Sequence, residues 1–408
     1  MTGPTVHERI RSLDFLRGAA VLGILWANVA LFTSPFLAMA QPAATNGPEL
    51  WGEWGSAIHS CLVAGKFRAV LATLFGVGLW LQYLKRRSVG EAWPASYLWR
   101  MFWLGVLGVS HMLFLWLGDV LAAYAVTAMV ASLFVTFSDR FLIATSAALI
   151  LANLGIAGLA VSASLLWAES GSVDDPFLWL FTTVLPAAET AIFRSGAWHD
   201  QLGFRALATP IVAFGSVVAP LTLLHHLLIG IVLARSGVLA RPSGSPRIRD
   251  WCLAVGFGVG IPMNALPFLN PWLGWDVPFE LVNELGGNAV LALGYLVAGA
   301  VWVENGALRR MVDLVGTVGR YALSCYLLQS AVCSALFYSW GLRLYGQVAG
   351  WWLAGCVLAV WAVVAVFALL LSRTTETGPA EWAWRSLSER RLLPFRRIRS
   401  RSTDASEA

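Results

Sequence analysis

A histidine and an aspartate stand eight residues apart in Gly108-Val-Ser-His-Met-Leu-Phe-Leu-Trp-Leu-Gly-Asp119-Val-Leu-Ala-Ala-Tyr124. A carboxylate that engages one imidazole nitrogen fixes the tautomer and supports the protonated ring. The other nitrogen can then take a proton from a hydroxyl or an amine. His111 and Asp119 are therefore a candidate base and its orienting acid, with Gly118 as the tight turn between them and Tyr124 just beyond. The plainer reading of the same residues is a packing histidine and a helix cap, since a carboxylate is favoured at a helix N-terminus.

A second group opens the chain. Arg11, Asp14 and Arg17 are spaced i, i+3, i+6, so Asp14 can pair with either arginine on a helix. The group is an internally paired anchor or an anion site, because the guanidinium fork suits phosphate oxygens. Asn28 follows Arg17 at a distance of about 16 Å along a helix. Other polar residues lie in apolar surroundings: His59, the adjacent pair His225 and His226, Asn283, Glu284 and Asn288, and Arg320, Ser324 and Gln329. Adjacent helical residues point about 100° apart, so one of the two histidines at most faces a given small site. Gln329 needs a partner wherever it is buried, and an interhelical hydrogen bond supplies one.

Several chemistries are absent. The five cysteines have no CxxC spacing, no zincin histidine pair occurs, and neither a P-loop nor a Gly-x-Ser-x-Gly elbow is present. The sequence thus predicts no metal and no redox cofactor.

The elements that carry these residues are set by hydropathy. Of 408 residues, 58% are hydrophobic and 12% charged, about half the charged share of an ordinary soluble domain. Ten uncharged runs reach or approach the 17–25 residues needed to cross a bilayer: 18–35, 69–84, 101–117, 120–137, 141–166, 208–234, 251–268, 287–303, 321–340 and 351–372. With the N-terminus inside and the runs alternating, 23 of the 28 Lys and Arg residues fall on the cytoplasmic side. Lys66, Arg68, Arg194, Arg205 and Arg343 fall outside. This is the positive-inside pattern, and it accounts for the net charge of +5 without nucleic acid. The expectation is an all-α polytopic bundle of about ten spans in the cell membrane, both termini cytoplasmic. Residues 1–385 form one membrane domain and 386–408 a basic tail. Arg11, Asp14, Arg17 and Arg320 then lie at the inner face, and His111 and Asp119 near the outer one. A cleavable signal ending at Ala38-Met39-Ala40 is the competing reading of the first run. The apolar stretch 176–186, too short to span, reads as an interfacial or re-entrant helix. Glycine, at 38 residues, permits close helix packing within a chain or between copies, which leaves the oligomeric state open.

Several stretches resemble the YeiB-like membrane proteins, a family defined by a domain of unknown function. They are Ser12-Leu-Asp-Phe-Leu-Arg-Gly18 with Gly-Ile-Leu-Trp-Ala-Asn28, Gly65-Lys-Phe-Arg68, Leu74-Phe-Gly-Val-Gly78, and His111 with Gly118-Asp-Val-Leu. Gly319-Arg-Tyr-Ala-Leu-Ser-Cys-Tyr-Leu-Leu-Gln-Ser330 and Gly378-Pro-Ala-Glu-Trp-Ala-Trp-Arg385 are the most specific, within a C-terminal signature of about 230–385. The opening motif is in turn similar to that of bacterial envelope O-acyltransferases and of the lysosomal heparan glucosaminide N-acetyltransferase. That resemblance implies transfer of an acyl group, acetyl in the simplest case, from cytoplasmic acyl-CoA to an acceptor across the membrane. The O-acyltransferases carry a catalytic histidine where this chain has Asn28. The glucosaminide enzyme also has Asn there, but its histidine follows at a spacing that this chain does not reproduce. The base is therefore assigned to His111 from the residues themselves, with Asp119 orienting it, Asn28 as oxyanion donor and His59 in reserve. Arg17, Arg11, Asp14 and Arg320 would form the acyl-CoA phosphate site, and Tyr124, His225 and Gln329 would line a substrate path. A transporter or flippase without covalent chemistry is the alternative.

Overall fold

The structure, a computed structural model, describes residues 10–37, 52–170, 179–269 and 279–395. The Ala38–Ala40 motif, the start of the 176–186 stretch and tail residues 396–408 lie outside the described residues. Among the described residues there is no strand.

An apolar chain in lipid must satisfy every backbone N–H and C=O within itself, and helices do so segment by segment. The helices are α1 Arg11–Thr33, α2 Glu53–Leu62, α3 Lys66–Ser88, α4 Ala95–Phe114, α5 Leu121–Ala131 and α6 Asp139–Ser170. After them come α7 Leu185–Ser195, α8 Trp198–Val218, α9 Pro220–Ser236 and α10 Pro246–Gly258. The last five are α11 Asn288–Asn305, α12 Arg309–Arg320, α13 Ala322–Phe337, α14 Gly350–Thr374 and α15 Pro379–Ser388. Short helical turns precede α7 and α11 and follow α10. Each of the ten apolar runs carries a helix. Among the described residues, seven helical segments are long and apolar enough to cross a bilayer, and α5, α9 and α13 are shorter apolar helices.

The helices differ in how far the rest of the bundle covers them. The apolar window of Arg11–Thr33 is 67% buried, whereas that of Pro246–Phe268 is 17% buried. Helix α1 is thus central, and α10 turns its apolar side chains outward, as a helix facing lipid does. Packing at the centre depends on glycine. A Cβ on Gly18 would lie 1.9 Å from the Val315 carbonyl oxygen, and one on Gly319 would lie 1.8 Å from that of Asp14. Gly76 and Gly230 seat α3 on α9 in the same way. These are backbone-to-backbone approaches that only a missing side chain allows.

The run at 208–234 belongs to a helical stretch from Trp198 through Ser236, interrupted only at residue 219. At 1.5 Å per residue it is far longer than the roughly 30 Å hydrocarbon core, so its polar first turns around His199 and Asp200 extend past the apolar layer. They join α7 in a cap over one end of the bundle. The stretch read as an interfacial segment enters this cap: residues 179–184 are helical and lead directly into α7.

Candidate active site

His111 lies in the last turn of α4, and its own carbonyl ends the helix by accepting from Leu115 N at 2.9 Å and Trp116 N at 3.0 Å. The chain turns at Gly118 and brings Asp119 back. Asp119 Oδ1 is 2.9 Å from His111 Nδ1, and Oδ2 accepts from Ala122 N at 2.9 Å in the first turn of α5. One carboxylate therefore orients the imidazole and caps a helix. Both side chains are wholly shielded from solvent, at 0% exposure. Gly108, one turn before His111, leaves room for the pair, since a Cβ there would sit 2.7 Å from Asp119 Oδ2. His111 Nε2 is buried with no hydrogen-bond partner among the described residues. The ring lies 5.2 Å from that of Tyr326 on α13, and Gln329, one turn further along the same helix, is buried with Nε2 unpaired among the described residues. A held Nδ1 beside an open Nε2 is the arrangement of a general base.

Tyr326 also lines a cavity of about 280 Å³, together with Leu121 and Leu104. The same cavity is bordered by Arg17, Arg100 and Arg320, with Gln82, Glu381 and Trp384. Arg17 is 3.6 Å from Asp14, and Arg320 Nη2 donates to the Glu376 carbonyl at 3.2 Å. Glu381 is committed elsewhere: its Oε1 accepts from Leu323 N at 2.8 Å and Ser324 N at 3.1 Å, and its Oε2 meets Ser324 Oγ. It thereby caps α13, which lacks a side-chain cap of its own. The Arg100 guanidinium lies 4.0 Å from the Trp384 ring, the indole N–H donates to the Arg100 carbonyl at 2.8 Å, and Arg100 Nε is buried without a partner among the described residues. Three arginines thus border a space whose one carboxylate is occupied by a helix terminus, so the pocket favours a polyanion.

The structure sorts the remaining predicted residues. Arg11 pairs with Asp313 at 2.6 Å and is exposed, away from the cavity. Asn28 is half-buried on α1. Phe32, one turn further along α1, stacks at 4.2 Å on Trp116 beside the end of α4. Tyr124 is buried, but its hydroxyl donates to the Arg68 carbonyl at 2.8 Å, toward α3. His59 is buried, with Nε2 3.4 Å from the Trp26 carbonyl. His225 and His226 are buried with ring centroids 4.0 Å apart, and neither borders the cavity.

Sequence reading missed Arg100, Glu381, Trp384 and Arg205. Arg205 is 1% exposed, and its guanidinium donates from Nε to the Leu113 carbonyl at 2.9 Å and from Nη1 to that of Leu115 at 3.4 Å. It neutralises the carbonyl end of the helix that carries His111. Glu189 accepts from Phe36 N at 2.8 Å and Leu37 N at 3.0 Å, tying α7 to the end of α1. Burial raises the Glu189 carboxyl from 4.5 to about 7, and the two backbone donors only partly oppose the shift. The available signal was the Gly378-to-Arg385 motif, which supplies both Glu381 and Trp384.

Among the described residues, an all-helical bundle with seven helical segments long and apolar enough to cross a bilayer defines a multi-pass membrane protein. The chain belongs to the YeiB-like, DUF418 family. The family model "Protein of unknown function (DUF418)" matches residues 233–391. "Uncharacterized protein YeiB" of Escherichia coli (strain K12) is 30% identical over 407 residues, covering 95% of this chain and 98% of that protein. "Uncharacterized protein YxaH" of Bacillus subtilis (strain 168) is 27% identical over 402 residues, covering 94% and 95% respectively. No solved structure matches the chain.

Proposed function

We propose that this protein transfers an acyl group, acetyl in the simplest case, from cytoplasmic acyl-CoA to a hydroxyl or amine acceptor at the outer face or within the membrane. The observation that carries the reading is a cavity bordered by Arg17, Arg100 and Arg320 and also by Tyr326, whose ring packs on His111. Arg100 and His111 share α4, separated by about 16 Å of helix. A donor with an anionic nucleotide head and a long flexible arm ending in a thioester suits such a space. A compact anion would not reach both ends.

In this mechanism Arg17, Arg100 and Arg320 hold the donor phosphates, and the arm follows the cavity toward His111. His111 Nε2 takes the acceptor proton as the acceptor oxygen or nitrogen bonds to the thioester carbonyl carbon. The Asn28 amide donates to the developing oxyanion. The C–S bond then breaks, and the CoA thiolate leaves with the proton returned from the imidazolium. Transfer is direct, with no acyl-enzyme. Asp119 supports the imidazolium throughout. The orientation belongs to the same proposal: ten spans, both termini cytoplasmic, the arginines at the inner face.

The test separates binding from chemistry. In membranes given radiolabelled acetyl-CoA, label should move to an acceptor, and His111→Ala should lower the rate by about 10²–10⁴-fold while CoA still binds. Arg17→Gln or Arg320→Gln should weaken CoA binding by roughly tenfold or more. Movement of a substrate with no dependence on CoA would instead establish a transporter or flippase.

A further inference from the structure

A second cavity, of about 360 Å³, is walled by Phe15, Leu22, Trp26, Phe67, Trp302 and Val315, with Ala19 in its floor. It shares no lining residue with the arginine cavity. Its walls come from α1, α3, α11, α12 and α14, and every side chain in them is apolar or a tryptophan. Two of those tryptophans have their polar atom satisfied by the protein. Trp361 Nε1 donates to the Leu22 carbonyl at 3.1 Å, and Trp302 Nε1 to that of Ala307 at 3.2 Å. The groove therefore offers a polar ligand little to bind, and an alkyl chain fits its chemistry.

Along α1 the groove runs from Phe15 to Trp26, about 16 Å. That is close to half of the roughly 30 Å hydrocarbon thickness, the depth of one leaflet. Charge selects the headgroup. Met311 and Val315 line one end of the groove, and α12 begins with Arg309 and Arg310 directly before Met311. Both arginines are exposed, and neither pairs with a carboxylate among the described residues. The acid of that helix, Asp313, is held by Arg11.

We infer that this groove is a specific site for one acyl chain of an anionic phospholipid from the surrounding bilayer, its headgroup held by Arg309 and Arg310. The site stands independently of the acyl-transfer reading. It is tested by native mass spectrometry of the delipidated full-length protein titrated with phosphatidylglycerol or phosphatidylcholine. The expected result is one retained phosphatidylglycerol per chain, with phosphatidylcholine weaker by about fivefold per arginine. Ala19→Trp, which fills the floor, should abolish retention of both lipids. Arg309→Gln with Arg310→Gln, exposed changes that leave the fold intact, should bring phosphatidylglycerol down to the phosphatidylcholine level. Equal retention of the two lipids by the wild type, or phosphatidylglycerol retention unchanged in the arginine double variant, would overturn the proposal.

Discussion

At the residue scale, Asp119 performs two tasks with its two oxygens, and substitutions can separate them. Asp119→Asn keeps an oxygen for the Ala122 N–H but loses the charge that supports an imidazolium. Acyl transfer should fall by about 10²–10⁴-fold, with thermal unfolding of the purified protein little changed. Gly108→Ala should damage the same pair by displacement, because its Cβ would lie 2.5 Å from the Ala122 backbone N. Glu189 supplies a pH prediction. Its carboxyl is raised in the folded protein to about 7 from an ordinary 4.5, so the folded state holds the extra proton between those values. The stabilisation is complete below about pH 4.5 and is lost as pH rises through about 7. The melting temperature of the wild type should therefore fall across that window relative to Glu189→Gln, and parallel curves would refute the assignment. The His111–Asp119 contact was legible because eight residues and a glycine turn confine it. The Arg100–Trp384 contact was not, since 284 positions separate its partners and nothing local marks either residue.

At the element scale, helix positions followed from apolar runs, because lipid leaves the backbone few alternatives. Helix ends did not. Amphipathic α12 and α15 are not apolar enough to register as spans, yet they build the arginine end of the bundle. Helix α15 is fastened by Glu381, whose carboxylate meets two N–H groups and a hydroxyl of α13. Glu381→Gln keeps one acceptor oxygen but loses the charge at the helix N-terminus. It should cost about 1–3 kcal/mol and expose the Trp384 region to proteolysis. The crossing of α3 and α9 gives a second test at this scale. Gly76→Ala puts a methyl group 2.0 Å from the Leu227 carbonyl oxygen, and forcing the helices apart should destabilise the protein by about 1–3 kcal/mol in detergent unfolding. An unchanged midpoint would show that the two helices cross without close backbone contact.

At the scale of the whole molecule, the cavity extends from a cationic end of the bundle to Tyr326, whose ring packs on His111 of the buried histidine–aspartate pair close to the other end. A cap built from α7, α8 and the turn near Ser339 covers that far end, joined through Gln201 Nε2 to Ser339 Oγ at 2.7 Å and through the Arg205 and Glu189 contacts. In the proposed orientation, donor and acceptor approach from opposite sides and meet at His111. Charge bias in the sequence suggested that polarity, but the cavity that makes it usable depends on contacts between α1, α4, α13 and α15, which no local pattern encodes. The most direct measurement seals acetyl-CoA labelled in its acetyl group inside vesicles that hold the protein in one orientation, and follows label on acceptors supplied outside. The account predicts that label appears outside, bonded to acceptor, in wild type, and at least about 100-fold more slowly in His111→Ala. Transfer at the wild-type rate in His111→Ala, or label that never leaves CoA, would contradict it.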